Sequence, residues 1–271
     1  MVAPATSPTV RRRCTVTGVV QGVGFRPFVH RLASELGLTG LVGNDTATVF
    51  IEVQGPPEAL SRFSERLRSD APPLAVINRV EWTDLPPVEE PEAGFRIVPS
   101  RVTSDAASAI PPDVAICDDC VRELFDPADR RYRHPFITCT NCGPRFTIIR
   151  ALPYDRPTTT MADFPMCPEC AAEYHDPADR RFHAQTVACP RCGPTLWYRS
   201  GQDRVTGSDA ALGAAQHALA AGRIVAVKGL GGYHLACLAD DDDVVRRLRA
   251  RKCRGDKPFA LLVRDLDTAR R

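Results

Sequence analysis

No run of apolar residues in this chain approaches the ~20 that a helix needs to cross a bilayer. The opening text, MVAPATSPTVRRR, has no apolar core of the kind a secretory signal carries. Both observations argue for a cytoplasmic protein without membrane contact. Charge imbalance is missing too: 35 Lys and Arg face 33 Asp and Glu, a formal charge of +2. That balance gives no global case for nucleic-acid binding, although arginines gather at Arg11–Arg13, Arg130–Arg133 and Arg246–Arg254. A hydrophobic content of 44% and a charged content of 25% are ordinary for a globular chain, and 271 residues suffice for about two domains or three small ones.

What the chain has in excess is cysteine, eleven in all, and in a cytosolic protein that points to metal thiolates rather than disulfides. Eight form four C-x-x-C pairs. Cys117, Cys120, Cys139 and Cys142 read C-x2-C-x18-C-x2-C, and Cys167, Cys170, Cys189 and Cys192 repeat the spacing 50 positions later. The text between them repeats as well, DPADRRYRH at 126–134 against DPADRRFH at 176–183, and CGPRF at 142–146 against CGPTL at 192–196. Zinc prefers four tetrahedral ligands, and each C-x2-C knuckle offers two sulfurs from one tight turn. The spacing therefore predicts two structural Zn2+ sites, one per module, with an interleaved pairing left open. Four thiolates leave no open coordination position, which argues against catalytic metal. Gly143 and Gly193, just after the last cysteine of each module, are expected where the knuckle needs left-handed backbone. His134, His175 and His183 lie nearby, but His134 and His183 do not match in the repeat, which argues against both being ligands. Arg130, Arg131 and Arg133 are possible phosphate contacts, offset by Asp126, Asp129, Asp176 and Asp179.

Before the cysteines, the pattern predicts a βαββαβ order. Val10–Val19 alternates around Cys14-Thr15-Val16-Thr17. Phe28, Leu32 and Leu36 make one helical face, stopped by Gly37. Leu41–Asn44 and Thr48–Gln54 read as strands, Leu60, Phe63 and Leu67 as a second helix, and Val76, Val80 and Trp82 as a fourth strand. Phe95–Val98 is a short final strand. This is an α+β, ferredoxin-like sandwich over residues 10–98. Residues 99–112 read as a linker, 113–200 as the tandem cysteine modules, and 201–271 as the start of an α/β domain. That last part shows a helix at Ala210–Ala221, a strand at Ile224–Val227, a helix at Val244–Arg251 and a strand at Phe259–Val263.

Between the first strand and first helix lies Gly18-Val19-Val20-Gln21-Gly22-Val23-Gly24-Phe25-Arg26. Two glycines let successive amides of Gln21, Gly22, Val23, Gly24 and Phe25 turn inward as an anion nest. The helix N-terminus behind them and the Arg26 fork add positive charge. With Asn44 in GLVGN at 40–44, this text resembles the acylphosphatase family, a likeness that spans residues 10–98. The resemblance implies that the loop amides and Arg26 bind phosphate and that Asn44 positions the attacking water. Leu41 stands where many single-domain members have Trp, and Pro27 and Phe28 follow the arginine, which points away from a free-standing enzyme.

KGLGGYH at 228–234 and RARKCRGDKPF at 249–259 resemble the opening of YrdC-like domains. That resemblance implies nucleotide or carbamoyl-phosphate contacts from Lys228, Lys252, Arg254 and Lys257. The three parts in this order resemble the N-terminal part of HypF-type carbamoyltransferases of NiFe hydrogenase maturation. The resemblance implies carbamoyl phosphate and ATP with Mg2+ as substrates, and transfer of the carbamoyl group to a cysteine of a HypE-type partner. From there the group is destined for the iron cyanide ligands. About sixty residues of the YrdC-like part are present, so the chain is read as a fragment or truncated product whose own activity is acyl-phosphate or carbamoyl-phosphate hydrolysis. Two other readings stay open: an acylphosphatase with zinc modules for partner binding, and a non-catalytic zinc protein that binds RNA.

Overall fold

The computed structural model describes residues 9–103 and 109–270, and two compact units divide the chain, the second being Thr195–Arg271. The first unit opens with β1 (Val10–Val19), α1 (Phe25–Glu35), β2 (Thr39–Asn44), β3 (Val49–Gly55), α2 (Pro57–Ser69), β4 (Val76–Leu85) and β5 (Phe95–Ile97). The sheet order is β4-β1-β3-β2-β5. Neighbours run antiparallel except β5, a short edge that lies parallel to β2 through Gly40–Phe95, Leu41–Arg96 and Val42–Ile97. The expected α+β sandwich is present, and the final strand extends the sheet on the far side of β2.

The alternation read in β1 and β3 puts Cys14, Val16, Val49, Ile51 and Val53 on the helix-covered face. Phe28, Val29 and Leu32 of α1, and Leu60, Phe63 and Leu67 of α2, fill that face from above. Burying Phe63 fully is worth about 3 kcal/mol relative to leaving it in water. Burial also pushes the Cys14 thiol up to about 12, so this cysteine packs as a neutral apolar group.

Two short helices then carry the first pair of cysteines of each module: α3 (Asp118–Phe125) and α4 (Pro168–His175), with Cys117 and Cys167 at their N-caps. Between the modules, residues 143–166 form an irregular stretch with single 3-10 turns at Arg156–Thr158 and Thr160–Asp163. Part of the expected linker, 104–108, lies outside the described residues, as do 1–8 and 271.

The second unit starts with a hairpin, β6 (Trp197–Ser200) and β7 (Asp203–Thr206), against which α5 (Ser208–Ala220) packs. A second hairpin pairs β8 (Val225–Lys228) with β9 (Tyr233–Ala236). It is followed by α6 (Asp242–Lys252), whose N-terminus Asp241 caps by accepting from the amides of Asp243 and Val244, and by α7 (Leu266–Arg270). The expected strand at Phe259–Val263 is not formed. Leu261 and Leu262 are exposed, and among the described residues no strand pairs with this segment, so its apolar text has no ladder to join. No helix among the described residues is long and apolar enough to cross a membrane.

Candidate active site and metal centres

The loop after β1 ends at Gly24, the N-cap of α1, which has no side-chain cap. Gly22 (φ +70°) and Gly24 (φ +76°) both sit in the left-handed region that an L side chain avoids. A methyl group on Gly22 would also press against the Tyr154 ring at 3.1 Å. The result is a tight turn delivering an uncapped helix N-terminus, a setting suited to an anion. Val23 and Phe25 point into the core and anchor the turn. Gln21, fully buried, ties it down on both sides: its Nε2 donates to Asp45 O at 2.7 Å, and its Oε1 accepts from the Tyr154 amide at 3.1 Å.

Arg26 is the second residue of α1 and is buried. Its Nη2 donates to Asp155 Oδ1 at 2.7 Å and to Tyr154 O at 3.4 Å, while Nη1 donates to Ser100 Oγ at 3.3 Å. Asn44 closes β2. It is fully buried, and among the described residues its amide nitrogen and oxygen find no partner, the pattern expected of a group kept for a ligand or water. The backbone of Asn44 accepts from Arg101 N at 2.9 Å, so adjacent residues Ser100 and Arg101 contact Arg26 and Asn44 respectively.

A cleft runs along the loop, with Gly22, Gly24 and Arg26 on one side and Thr140, Tyr154 and Gln185 on the other. Its far wall is thus built from the cysteine-bearing segment. Arg145 links the two, donating Nε to Gly22 O, Nη1 to Cys142 O at 2.9 Å and Nη2 to Thr140 O at 2.9 Å. His183 also lines the cleft. Burial, with the Arg26 charge beside it, pushes its imidazole down to about 4, so it is neutral near pH 7.

The eight cysteines gather as two separate sets, Cys117, Cys120, Cys139 and Cys142, and Cys167, Cys170, Cys189 and Cys192. In the first set, the Cys117–Cys139, Cys139–Cys142 and Cys142–Cys120 sulfur separations are 3.7, 3.8 and 3.6 Å. The second set repeats these values in the same order. Four sulfurs each ~2.3 Å from one zinc stand about 3.8 Å apart at the corners of a tetrahedron. The separations fit that geometry and are far beyond the ~2.05 Å of a disulfide. The donor sets therefore suit two structural zinc ions, paired within modules.

The knuckle glycines differ in their reasons. Gly143 has φ +93°, as expected. Gly193 does not enter the positive region; there a Cβ would fall 2.7 Å from Ala188 Cβ, so space rather than backbone freedom demands glycine. Four module arginines face the opposite module. Arg130 and Arg131 of the first module pair with Glu173 of the second, and Arg180 and Arg181 of the second pair with Glu123 of the first. Arg130 donates to Cys170 Sγ at 3.0 Å, and Arg180 to Cys120 Sγ at 3.3 Å, so each thiolate set receives a cation from the other module. His134 is buried and belongs to neither four-sulfur set. Burial first, then Arg131 and Arg181, pushes it down to about 4.

In the second unit, Lys228 ends β8 and is exposed, Lys252 ends α6, and Arg254 and Lys257 follow it. Arg254 and Arg249 both lie over the Phe259 ring, at 5.3 and 4.7 Å. Tyr154 and Asp155 were not legible as site residues: an aspartate 129 positions from its arginine carries no local spacing signal.

Comparison with known proteins matches the same three parts. The Acylphosphatase family model covers residues 12–97, the HypF finger model 116–149 and 166–198, and the Telomere recombination model of the Sua5, YciO and YrdC group 217–271. Carbamoyltransferase HypF2 of Cupriavidus necator is 56% identical over 98% of this chain and 33% of its own length. Carbamoyltransferase HypF of Synechocystis is 53% identical over 93% of this chain and 32% of its own length. An acylphosphatase of Caldivirga maquilingensis is 45% identical over 30% of this chain and 86% of its own. A crystal structure of full-length HypF in a phosphate- and nucleotide-bound form superposes with a TM-score of 0.88 at 43% identity, covering 99% of this chain and 35% of that one. The chain spans about a third of the length of these carbamoyltransferase relatives. Continuity of the match through all three parts disfavours both a lone acylphosphatase and an RNA-binding zinc protein. The chain belongs to the HypF carbamoyltransferase family and corresponds to its N-terminal part, with an acylphosphatase domain, two HypF fingers and a partial YrdC-like region.

Proposed function

We propose that the first unit hydrolyses carbamoyl phosphate, or a similar acyl phosphate, at the loop after β1. The amides of Gln21 to Phe25 and the Arg26 guanidinium hold the phosphoryl oxygens, and Asn44 orients a water toward phosphorus. Water adds to phosphorus, the bond from phosphorus to the acyl oxygen breaks, and carbamate and inorganic phosphate leave with release of one proton. A mixed anhydride is already activated, so placement and fixed positive charge are sufficient catalysis. The observation that carries this reading is the buried Asn44 amide, without a partner among the described residues, one position before Asp45, whose carbonyl accepts from Gln21 of the glycine loop.

In the longer protein of this family the carbamate passes to an ATP-dependent adenylating site, to which Lys228, Lys252, Arg254 and Lys257 contribute, with Mg2+. A HypE-type protein then accepts the carbamoyl group. Residues 10–98 act as the hydrolytic domain, 99–112 as the linker, 113–200 as the zinc-bearing brace, and 201–271 as the first part of the nucleotide domain. The two four-thiolate sets suit a reducing compartment, the cytoplasm.

The test is phosphate release from carbamoyl phosphate by the wild-type chain and by Arg26→Ala. The expected loss is about 100-fold or more, the scale of removing a main oxyanion donor. Equal rates would overturn the assignment.

A further inference from the structure

We infer that Asp155, carried by the stretch between the two zinc modules, is the positioning residue for Arg26, so that the phosphate site is complete only when those modules are folded against it. The inference rests on the hydrolytic reading above and names a part of the site that lies outside the 10–98 domain.

The geometry has three parts. Asp155 takes one edge of the guanidinium, Nη2, at 2.7 Å, in a single contact rather than a two-pronged one. Among the described residues the Nε–H donates to no protein acceptor, so part of the fork stays available to an oxyanion. Arg26 lines the cleft with Gly22 and Gly24, and the carboxylate that grips it belongs to the residue after Tyr154, which lines the same cleft.

The backbone that carries Asp155 is fixed from both flanks. Its amide donates to Thr158 Oγ1 at 3.1 Å, and its carbonyl accepts from Thr158 N at 3.0 Å. On one flank the Tyr154 amide donates to Gln21 Oε1. On the other, buried Arg156 donates to Gln185 O at 2.9 Å and Val187 O at 2.8 Å, just before Cys189 of the second metal set. A guanidinium on a flexible stem loses entropy when it binds an anion. A carboxylate on a backbone fixed in this way reduces that freedom in advance.

The opposing physical effect is repulsion. A carboxylate near a phosphate dianion disfavours it, and if Asp155 merely filled the phosphate's place, removing it would tighten binding. The sign of the change in phosphate affinity therefore decides the matter.

The experiment measures binding of inorganic phosphate to the full chain by calorimetry, with carbamoyl-phosphate hydrolysis alongside, for wild type, Asp155→Asn, Asp155→Ala and Arg26→Ala. Asn keeps the shape and an acceptor oxygen, which guards against a folding failure in the alanine variant. Zinc content and melting temperature are measured on each. The expected result is phosphate affinity about tenfold weaker in Asp155→Ala, with Asp155→Asn between it and wild type and zinc content unchanged. KM should rise with it, since the arginine is held for binding. Unchanged or tighter phosphate binding in Asp155→Asn overturns the inference while leaving the hydrolytic reading intact if Arg26→Ala is still inactive. Unimpaired phosphate binding and turnover in Arg26→Ala overturns both.

Discussion

Arg131, almost wholly buried in the first zinc module, pairs with Glu173 of the second, and its repeat counterpart Arg181 pairs with Glu123 in the opposite direction. The exchange is reciprocal down to the backbone, with Arg131 Nε donating to Ala188 O at 2.8 Å and Arg181 Nε to Thr138 O at 3.1 Å. The modules therefore fold as one interlocked pair. Glu173→Ala leaves two guanidinium groups, one of them buried, without their carboxylate. The expected loss is about 3 kcal/mol in chemical denaturation, because an abandoned buried charge costs more than the pair contributes. A surface pair such as Arg122 with Asp119 sets the contrast: Asp119→Ala should change stability by less than about 1 kcal/mol.

Asn44 separates stability from activity. Its amide is buried with no hydrogen bond among the described residues, so the folded state gains little from it. Asn44→Ala is expected to leave the unfolding free energy within about 1 kcal/mol of wild type, while phosphate release falls about 100-fold. Parallel denaturation and turnover measurements check both halves. A large stability loss would mean that the amide has a structural partner.

Glu52 gives a pH signature away from the metal sites. Burial would raise its carboxyl, but hydrogen bonds from Arg13 and Arg11 outweigh this and hold it below the ordinary 4.5. A carboxyl depressed in the fold contributes stability that is fully present above about pH 4.5 and is lost as pH falls below that value. The contribution is about 1 kcal/mol, since the arginines are partly exposed. The wild-type minus Glu52→Gln stability difference should therefore shrink as pH drops from 6 toward 3. A difference independent of pH would remove the assignment.

These features differ in how far they could be read from the chain. The sandwich was legible because Val49, Ile51 and Val53 alternate and Phe28 and Leu32 recur at helical spacing, and local periodicity reports burial directly. The cysteine sets were legible because metal ligands must come in fixed knuckles. Phe259–Val263 misled because apolar text says nothing about whether a partner strand is at hand. The true partner of Arg130 and Arg131 was not legible, since a charge run does not reveal a glutamate about forty positions away. The repeat itself contained the clue: Glu123 and Glu173 occupy equivalent places, as the arginines do. Asp155 lies in the spacer, outside the repeat, and only the fold brings it to Arg26.

Zinc removal tests how closely the two halves of the first unit depend on each other. Small cysteine modules have little core, so metal binding supplies much of their folding free energy. The intact chain should contain two zinc ions, and Cys170→Ser should retain one. Arg145 ties the first knuckle to Gly22, and Arg156 ties Asp155 to the residues before Cys189, so losing either ion loosens the wall of the cleft. The α+β sandwich has its own core and should persist. Chelation is therefore expected to lower phosphate release at least tenfold while most sheet signal in circular dichroism remains. Full activity in metal-free protein would show that the sandwich works unaided and that the zinc modules serve some other end.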